Sequence, residues 1–504
     1  MKVSQLLRGT GVSFTGLDSE ICGLHYDSRR IQPGFLFVAM RGEAADGNRY
    51  IETALKNGAV AVVTDSALEP ARAGVAWAVV EHGRRALAQL AANFYGRPAE
   101  QLKITGITGT NGKTTTTFLT EAILNFSGNK TALVGTIEYH VAGKVLPAPH
   151  TTPESLELSQ IFSEALAAGA TDAAMEVSSH ALEQGRVWGI PYEVAVFTNL
   201  TRDHLDYHKD MESYFAAKKL LFAGAGTRPP RVAVINADDD YGMALLEAGH
   251  PKAERVISYG IASGDFHAEN VDLQPTQTAF DLVTPEGRAR ITSRLIGKVN
   301  VYNLLAAAAA AHARRCTLEQ IAEAVRGFNQ VPGRFERVDC GQPFTVVVDY
   351  AHTDDALRNL TAIARDFARR GGAQGRVITL FGCGGDRDRS KRPLMGQAAV
   401  KGSDFVVLTS DNPRSEDPLK IIEDVLPGLQ SNHDGARYTV EPDRRQAIAL
   451  AAAEAKPGDV LLIAGKGHEK YQITREGTFP FDDVQVARET LQKMGYSAPK
   501  GGAQ

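Results

Sequence analysis

At Gly109–Thr115 the chain carries the heptapeptide GTNGKTT. It follows the apolar positions Leu102, Ile104 and Ile107 and precedes TTTTFLTEAILN, in which Phe118, Leu119, Ala122 and Leu124 fall at helical spacing. A buried strand that passes into a helix through so short a glycine-rich turn needs a sheet with helices packed on it, which points to α/β architecture. The turn also has chemistry of its own. Backbone N–H groups at the helix start face an anion, Lys113 adds a positive charge, and the Thr114 hydroxyl can hold Mg²⁺. The loop is a short variant of the usual phosphate-binding pattern, because Ile107 stands five residues before Gly112 and the nearest glycines are Gly109 and Gly106.

From about residue 100 onward, short apolar runs alternate with helical segments, and the runs stop at polar residues. They are Ala173–Val177 before SSH, Val194–Phe197 before TNLTRDH, Val346–Val348 before DYAH, Ile378–Phe381 before GCGGDRD, Val406–Leu408 before TSDNPR, and Val460–Ile463 before AGKGHEK. This pattern predicts parallel sheets whose strand ends deliver polar side chains to one rim. A chain of 504 residues exceeds one core and divides into about three domains. The boundaries are expected near residue 98, at GRPAEQ, and near Gly333, in NQVPGRFERV, giving domains 1–98, 99–333 and 334–504.

Lys and Arg total 55 against 59 Asp and Glu, a net charge of −4, so no chain-wide basic field invites nucleic acid. Cys22, Cys316, Cys340 and Cys383 are far apart with no C-x-x-C pair, which fits a reducing cytosol rather than a disulfide framework or a zinc site. MKVSQLLRGTGVSFTG lacks the apolar core of a secretory signal, and the alanine-rich run Leu304–Ala311 is too short to span a membrane. The expectation is a cytoplasmic, monomeric protein without a membrane partner, ending in a frayed SAPKGGAQ tail.

Glu176 ends one strand-like run and His204 follows another, so both are expected near the phosphate loop, where an acid and an imidazole suit Mg²⁺ bound beside phosphate oxygens. On spacing alone, a helix-capping Glu176 and a locally satisfied His204 are equally good readings.

In order along the chain, GTNGKTT, MEVSSHALEQGR, TNLTRDHLDYH, AAKKL, VPGRFE, VVDYAHT, FGCGGDRD, DNPR and GKGHE resemble the Mur ligase family. The resemblance implies a mixed α/β N-terminal domain, a central P-loop ATPase domain with a mainly parallel sheet, and a Rossmann-like C-terminal domain. It implies ATP-driven amide formation through an acyl phosphate, in cytoplasmic synthesis of peptidoglycan precursors. By resemblance, Gly109, Thr110, Asn111, Gly112, Lys113, Thr114 and Thr115 hold the ATP phosphates, Asn303 and Arg334 contact the nucleotide, and Asp349 lies on the ribose side. Thr114 and Glu176 hold one Mg²⁺ and His204 helps hold a second. Lys218 matches the family's carbamylated lysine: CO₂ would convert a repulsive ammonium into an anion that supports the metal.

For the acyl acceptor, the resemblance places Tyr26, Ser28, Glu43, Ala44 and Ala45 on a uridine diphosphate. It places Thr151, Thr152, Ser178, Gln184 and Arg186 on a muramoyl dipeptide, with His150 where relatives carry Asn. The amine side falls to Arg387, Asp411, Asn412, Pro413, Arg414, Gly465 and Glu469. Meso-diaminopimelate is lysine with an added distal carboxylate, which the Arg414 guanidinium can grip through two parallel hydrogen bonds while Glu469 meets an ammonium. Lysine would leave that guanidinium unpaired, so DNPR favours a diaminopimelate-adding member over a lysine-adding one. The first domain argues against a folate polyglutamate ligase. A nucleotide-driven switch would need no second amino-acid pocket.

Overall fold

The computed structural model describes residues 1–42, 45–67, 71–247, 252–274, 276–370, 375–431 and 437–497. Its strands gather into three main sheets, each drawn from its own stretch of chain. The first holds four parallel strands in sequence order, Gly23–His25, Phe35–Ala39, Ala61–Thr64 and Ala76–Val79, with helix Gly83–Phe94 packed against them.

At the centre of the second sheet, Tyr192–Phe197, Lys103–Thr108, Asp172–Glu176 and Thr131–Val134 run parallel side by side. These strands are buried on both faces, as a sheet sandwiched between helices requires. Helix Lys113–Phe126 leaves the end of the central strand and lies against the alanine-rich helix Lys298–Ala313. Ala306 to Ala311 are all buried there, and their small side chains let the helices approach closely. The sequence reading anticipated a mainly parallel sheet; Val232–Asn236, Arg255–Gly260 and Phe266–Leu273 continue it in parallel beyond Tyr192–Phe197, and antiparallel strands at both edges bring it to eleven. One addition, Glu138–Val141 with Lys144–Pro147, turns at Ala142 and Gly143, both at positive φ, the geometry that joins tightly twisted strands.

The third sheet has the order Glu336–Val338, Thr345–Asp349, Val460–Ala464, Val377–Phe381, Phe405–Leu408, Arg437–Val440, parallel except for its first strand. Consecutive strands diverge from a switch between Val460–Ala464 and Val377–Phe381, so the loops at their carboxyl ends open a crevice. Those loops are DYAH, GCGGDRD, DNPR and GKGHE. Among the described residues no helix is long and apolar enough to cross a membrane, and the four cysteines are free.

Candidate active site

The loop after the central strand is built by close approach. Gly112 has φ 86°, and a Cβ there would run into Asn303 Oδ1 from the alanine-rich helix, so only glycine fits. Asn303 is itself held by donating from Nδ2 to Asn300 Oδ1 at 2.9 Å. Asn111 N donates to Asn199 Oδ1 at 2.9 Å, and Thr198 Oγ1 donates to the Asn111 carbonyl at 2.7 Å, which stitches the loop to the TNLT segment.

Two lysines converge beneath this loop. Lys113 Nζ donates to the carbonyl oxygens of Gly109 at 3.0 Å and Thr110 at 2.8 Å. Lys218 Nζ, from helix Met211–Ala223, reaches the same Gly109 oxygen at 2.8 Å and lies over the Tyr214 ring. Burial pushes both amines below their ordinary values, and for Lys218 the neighbouring Lys113 adds to a large depression.

Glu176 is fully buried. Its Oε1 accepts from Thr136 N at 2.7 Å, and its Oε2 accepts from Thr136 Oγ1 at 2.9 Å and Thr114 Oγ1 at 3.1 Å. His204 adopts a left-handed backbone at the start of the short helix Leu205–His208, and its ring lies 3.3 Å from Asp203 and 5.0 Å from the His180 ring. Burial drives its imidazole toward the neutral form; Asp203 opposes this, while His180, Lys113 and Lys218 reinforce it. Among the described residues no three His, Cys, Asp or Glu side chains converge as a ready-made metal cage.

Loops of the third sheet close over this end. Arg334 Nη2 donates to Thr114 Oγ1 at 3.0 Å, with its guanidinium over the Tyr350 ring. Asn111 Nδ2 donates to Asp355 at 2.9 Å, and Asp203 lies 3.9 Å from both His352 Nε2 and Lys391 Nζ. Both oxygens of Asp349 already accept backbone N–H groups, from Phe335 at 2.7 Å and Ala351 at 2.8 Å. Burial raises its carboxyl above the ordinary value, with Arg334 opposing.

A single cleft of about 1060 Å³ is lined by Thr110 to Thr115, Thr151, Thr152, Glu176, Ser178, Arg186, His204, Lys218, Asn303, Arg334, Asp349 and Arg387. Gly109 contributes its carbonyl from below. Thr152 Oγ1 donates to the Glu176 carbonyl at 2.9 Å and accepts from Ser178 N at 3.1 Å, and Arg186 donates to Gln184 Oε1 at 3.0 Å and to the Thr152 carbonyl at 3.2 Å. His150 joins the lining.

Tyr26, Ser28 and Ala45 stand outside this cleft, on the first sheet's side. Tyr26 donates its hydroxyl to Glu157 at 2.8 Å, a bond between the first two sheets' domains. Ser28 is buried at the start of a short 3₁₀ turn capped by Asp27, and Ala45 accepts from Gly42 N at 2.8 Å. Glu43 and Ala44 lie outside the described residues.

The remaining residues form a second cluster next to the cleft. Arg414 has φ 53° and donates from Nη1 to the Gly385 carbonyl at 2.9 Å. Gly384 lies beside it: a Cβ there would press on Arg414 Nη1 at 2.9 Å, whereas Arg387 Cγ, at 3.8 Å, would be in ordinary contact, so glycine leaves room for the Arg414 guanidinium. Asn412 Nδ2 donates to Glu469 Oε2 at 2.7 Å, and Gly465 N donates to the Asp349 carbonyl at 3.0 Å, which ties this cluster to the nucleotide end. Asp411 is buried beside them, and Pro413 carries the chain into Arg414. Burial and Asp411 raise the Glu469 carboxyl, against Lys466 and Asn412.

Sequence reasoning missed Thr136, Asp203, His352, Lys391 and Lys466. Asp203, His352 and Lys466 lie inside motifs already singled out, so a charged residue beside each motif was the available signal. Thr136 gave none, because it stands in no motif and meets Glu176, through both N and Oγ1, only in the folded chain.

Family models match three stretches: "Mur ligase family, catalytic domain" over residues 20–95, "Mur ligase middle domain" over 107–311, and "Mur ligase, glutamate ligase domain" over 333–467. A protein of Solibacter usitatus named UDP-N-acetylmuramoyl-L-alanyl-D-glutamate--2,6-diaminopimelate ligase is 56% identical over 479 residues, 95% of each chain. One of the same name from Geobacillus thermodenitrificans is 48% identical over 95% of this chain and 96% of its own. A solved structure with that name superposes with a TM-score of 0.67 at 33% identity, covering 99% of this chain and 100% of the other. With family models matching all three sheet regions and relatives aligned over nearly the whole chain, this chain belongs to the Mur ligase family.

Proposed function

We propose that this chain is an ATP-dependent ligase that joins meso-diaminopimelate to the D-glutamate γ-carboxylate of UDP-N-acetylmuramoyl-L-alanyl-D-glutamate in cytoplasmic peptidoglycan precursor synthesis. The observation that carries the reading is positional: the phosphate loop, Glu176, His204 and Lys218 share one cleft with Arg387, and Arg387 and Arg414 both lie beside Gly384. Relatives named for this activity align over nearly their whole length.

A carboxylate resists an amine because its oxygen leaves poorly. Phosphorylating it first gives an acyl phosphate from which the amine displaces phosphate, and the protein's task is to position the groups and neutralise charge. Lys113 and the loop N–H groups hold the phosphates, Asn303 and Arg334 fix the nucleotide, and Asp349 takes the ribose side. Thr152, Ser178, Gln184 and Arg186 orient the dipeptide, while Tyr26, Ser28 and Ala45 serve the uridine end, within domains 1–98, 99–333 and 334–504.

The donors fit Mg²⁺. Thr114 and Glu176 present hard oxygens 3.1 Å apart, a pair too sparse to cage the ion alone, as expected where phosphate oxygens complete the set. When bound, Mg²⁺ would neutralise charge on the transferring phosphoryl group. Lys113 and Lys218 share one carbonyl oxygen, so two full ammonium charges there would repel. A depressed, neutral Lys218 is the form that reacts with CO₂, and its carbamate would turn that repulsion into attraction.

The test is an amino-acid panel with ATP and the UDP-dipeptide. Product with meso-diaminopimelate at a rate far above that with lysine is expected; equal or faster use of lysine would overturn the assignment.

A further inference from the structure

Lys466 is fully buried, with none of its side chain exposed. Its Nζ donates to Asn412 Oδ1 at 3.0 Å and lies 3.4 Å from Glu469 Oε2 and 3.6 Å from Asp411 Oδ1. One ammonium therefore joins the DNPR loop, after strand Phe405–Leu408, to the GKGHE loop, after strand Val460–Ala464. A buried cation is tolerated only with partners, and here the dependence is mutual: without it, Asp411 and Glu469 are like charges in a poorly solvated place.

Arg444 lies beneath the same loops. It pairs with Asp483 through two bonds of 2.8 and 2.7 Å and donates to the carbonyls of Ala464 at 3.0 Å and Ser410 at 3.4 Å, the residues before Gly465 and Asp411. Its charge is matched by Asp483, while Lys466 makes the direct contact with Glu469. The titratable and charged groups facing Glu469 are Asp411, Lys466, Arg444, Tyr350 and Tyr471.

We infer that Lys466 is a positioning residue for the incoming amino acid, holding the Asn412 amide and the Glu469 carboxylate in the arrangement that receives the substrate's ammonium without touching the substrate itself. The inference rests on the reading of Asn412 and Glu469 as amino-acid contacts. Hydrogen bonding fits this role: Asn412 Oδ1 accepts from Lys466 Nζ at 3.0 Å and from Ile473 N at 2.9 Å, so the ammonium and that backbone N–H together turn the amide's NH₂ toward Glu469.

The test is the full-length enzyme carrying Lys466→Met, assayed with meso-diaminopimelate, ATP and the UDP-dipeptide. The expected result is a KM for meso-diaminopimelate raised roughly 10- to 100-fold, with the other two KM values within about twofold. The acid limb of kcat/KM for meso-diaminopimelate moves to higher pH, because Glu469 is then opposed by Asp411 with less compensation. Adding Asp411→Asn removes the repelling charge and brings the limb back. An unchanged KM and pH profile, or equal rises in all three KM values, overturns the inference.

Should Lys466→Met fail to fold, the charge-neutral double variant carries the test. It is expected to fold with a raised KM and the wild-type acid limb; a wild-type KM, or failure of both variants to fold, assigns Lys466 to the core alone. A wild-type enzyme that takes no meso-diaminopimelate sinks the underlying reading, whereas one that does, with Lys466→Met unchanged, sinks only this inference.

Discussion

The Lys218 amine donates to the Gly109 carbonyl at 2.8 Å across 109 positions of sequence, so helix Met211–Ala223 sends a buried side chain directly under the phosphate loop. The contact ties the lysine of the AAKKL segment to the loop on which the chemistry depends.

Replacing Lys218 by Ala is expected to lower kcat by at least about 10²-fold, and added short carboxylates should restore part of the turnover by standing in for the carbamate. Steady-state rates with and without formate or acetate check this. Near-normal activity of the unsupplemented variant would remove the carbamate from the account.

Glu176→Gln removes a formal charge while keeping the acceptor for Thr136 N. The Mg²⁺ concentration for half-maximal rate should rise at least roughly tenfold. A magnesium titration that superposes on the wild-type curve would show that Glu176 is not a metal ligand.

Arg414→Ala should raise the KM for meso-diaminopimelate by roughly 10²-fold or more while leaving that for ATP nearly unchanged. Arg414→Lys should recover little, because an ammonium cannot reproduce the planar fork. Small and equal changes in both constants would contradict the assignment.

His140 lies between Glu121, on the phosphate-loop helix, at 2.7 Å and Glu138 at 2.9 Å. Burial disfavours its charge, but the hydrogen bonds and charges of the two glutamates prevail and raise it from 6.5 to about 9. A raised value means that the stabilisation is complete below about pH 6.5 and is lost as pH rises through about 9. His140→Gln should therefore cost about 1–3 kcal/mol at neutral pH and little above about pH 9. Thermal unfolding of both proteins across that range checks it; a difference independent of pH would refute the charge argument.

Much of this was legible in the chain. Lys103–Thr108 and Lys113–Phe126 are local, with apolar spacing and a glycine turn between them, so their residues declare the unit. The polar residues at strand ends were legible for the same reason. The antiparallel edges were not, since Ala142–Gly143 is a weak turn signal and the strand Lys144–Pro147 is exposed throughout. The role of Thr136 was hidden because a lone threonine outside any motif carries no signal of the carboxylate that both its N–H and its hydroxyl reach across 40 positions. Lys218 was legible only by resemblance and Lys466 not at all, and only the fold shows how completely each is buried. Arg414 comes to lie beside Gly384, on the loop that carries Arg387, only through tertiary packing.

The most direct test is isotopic. With ¹⁸O in the γ-carboxylate of UDP-N-acetylmuramoyl-L-alanyl-D-glutamate, turnover with ATP and meso-diaminopimelate should deliver one ¹⁸O into the released orthophosphate. Orthophosphate free of ¹⁸O, alongside normal product, would contradict the acyl phosphate on which the account stands.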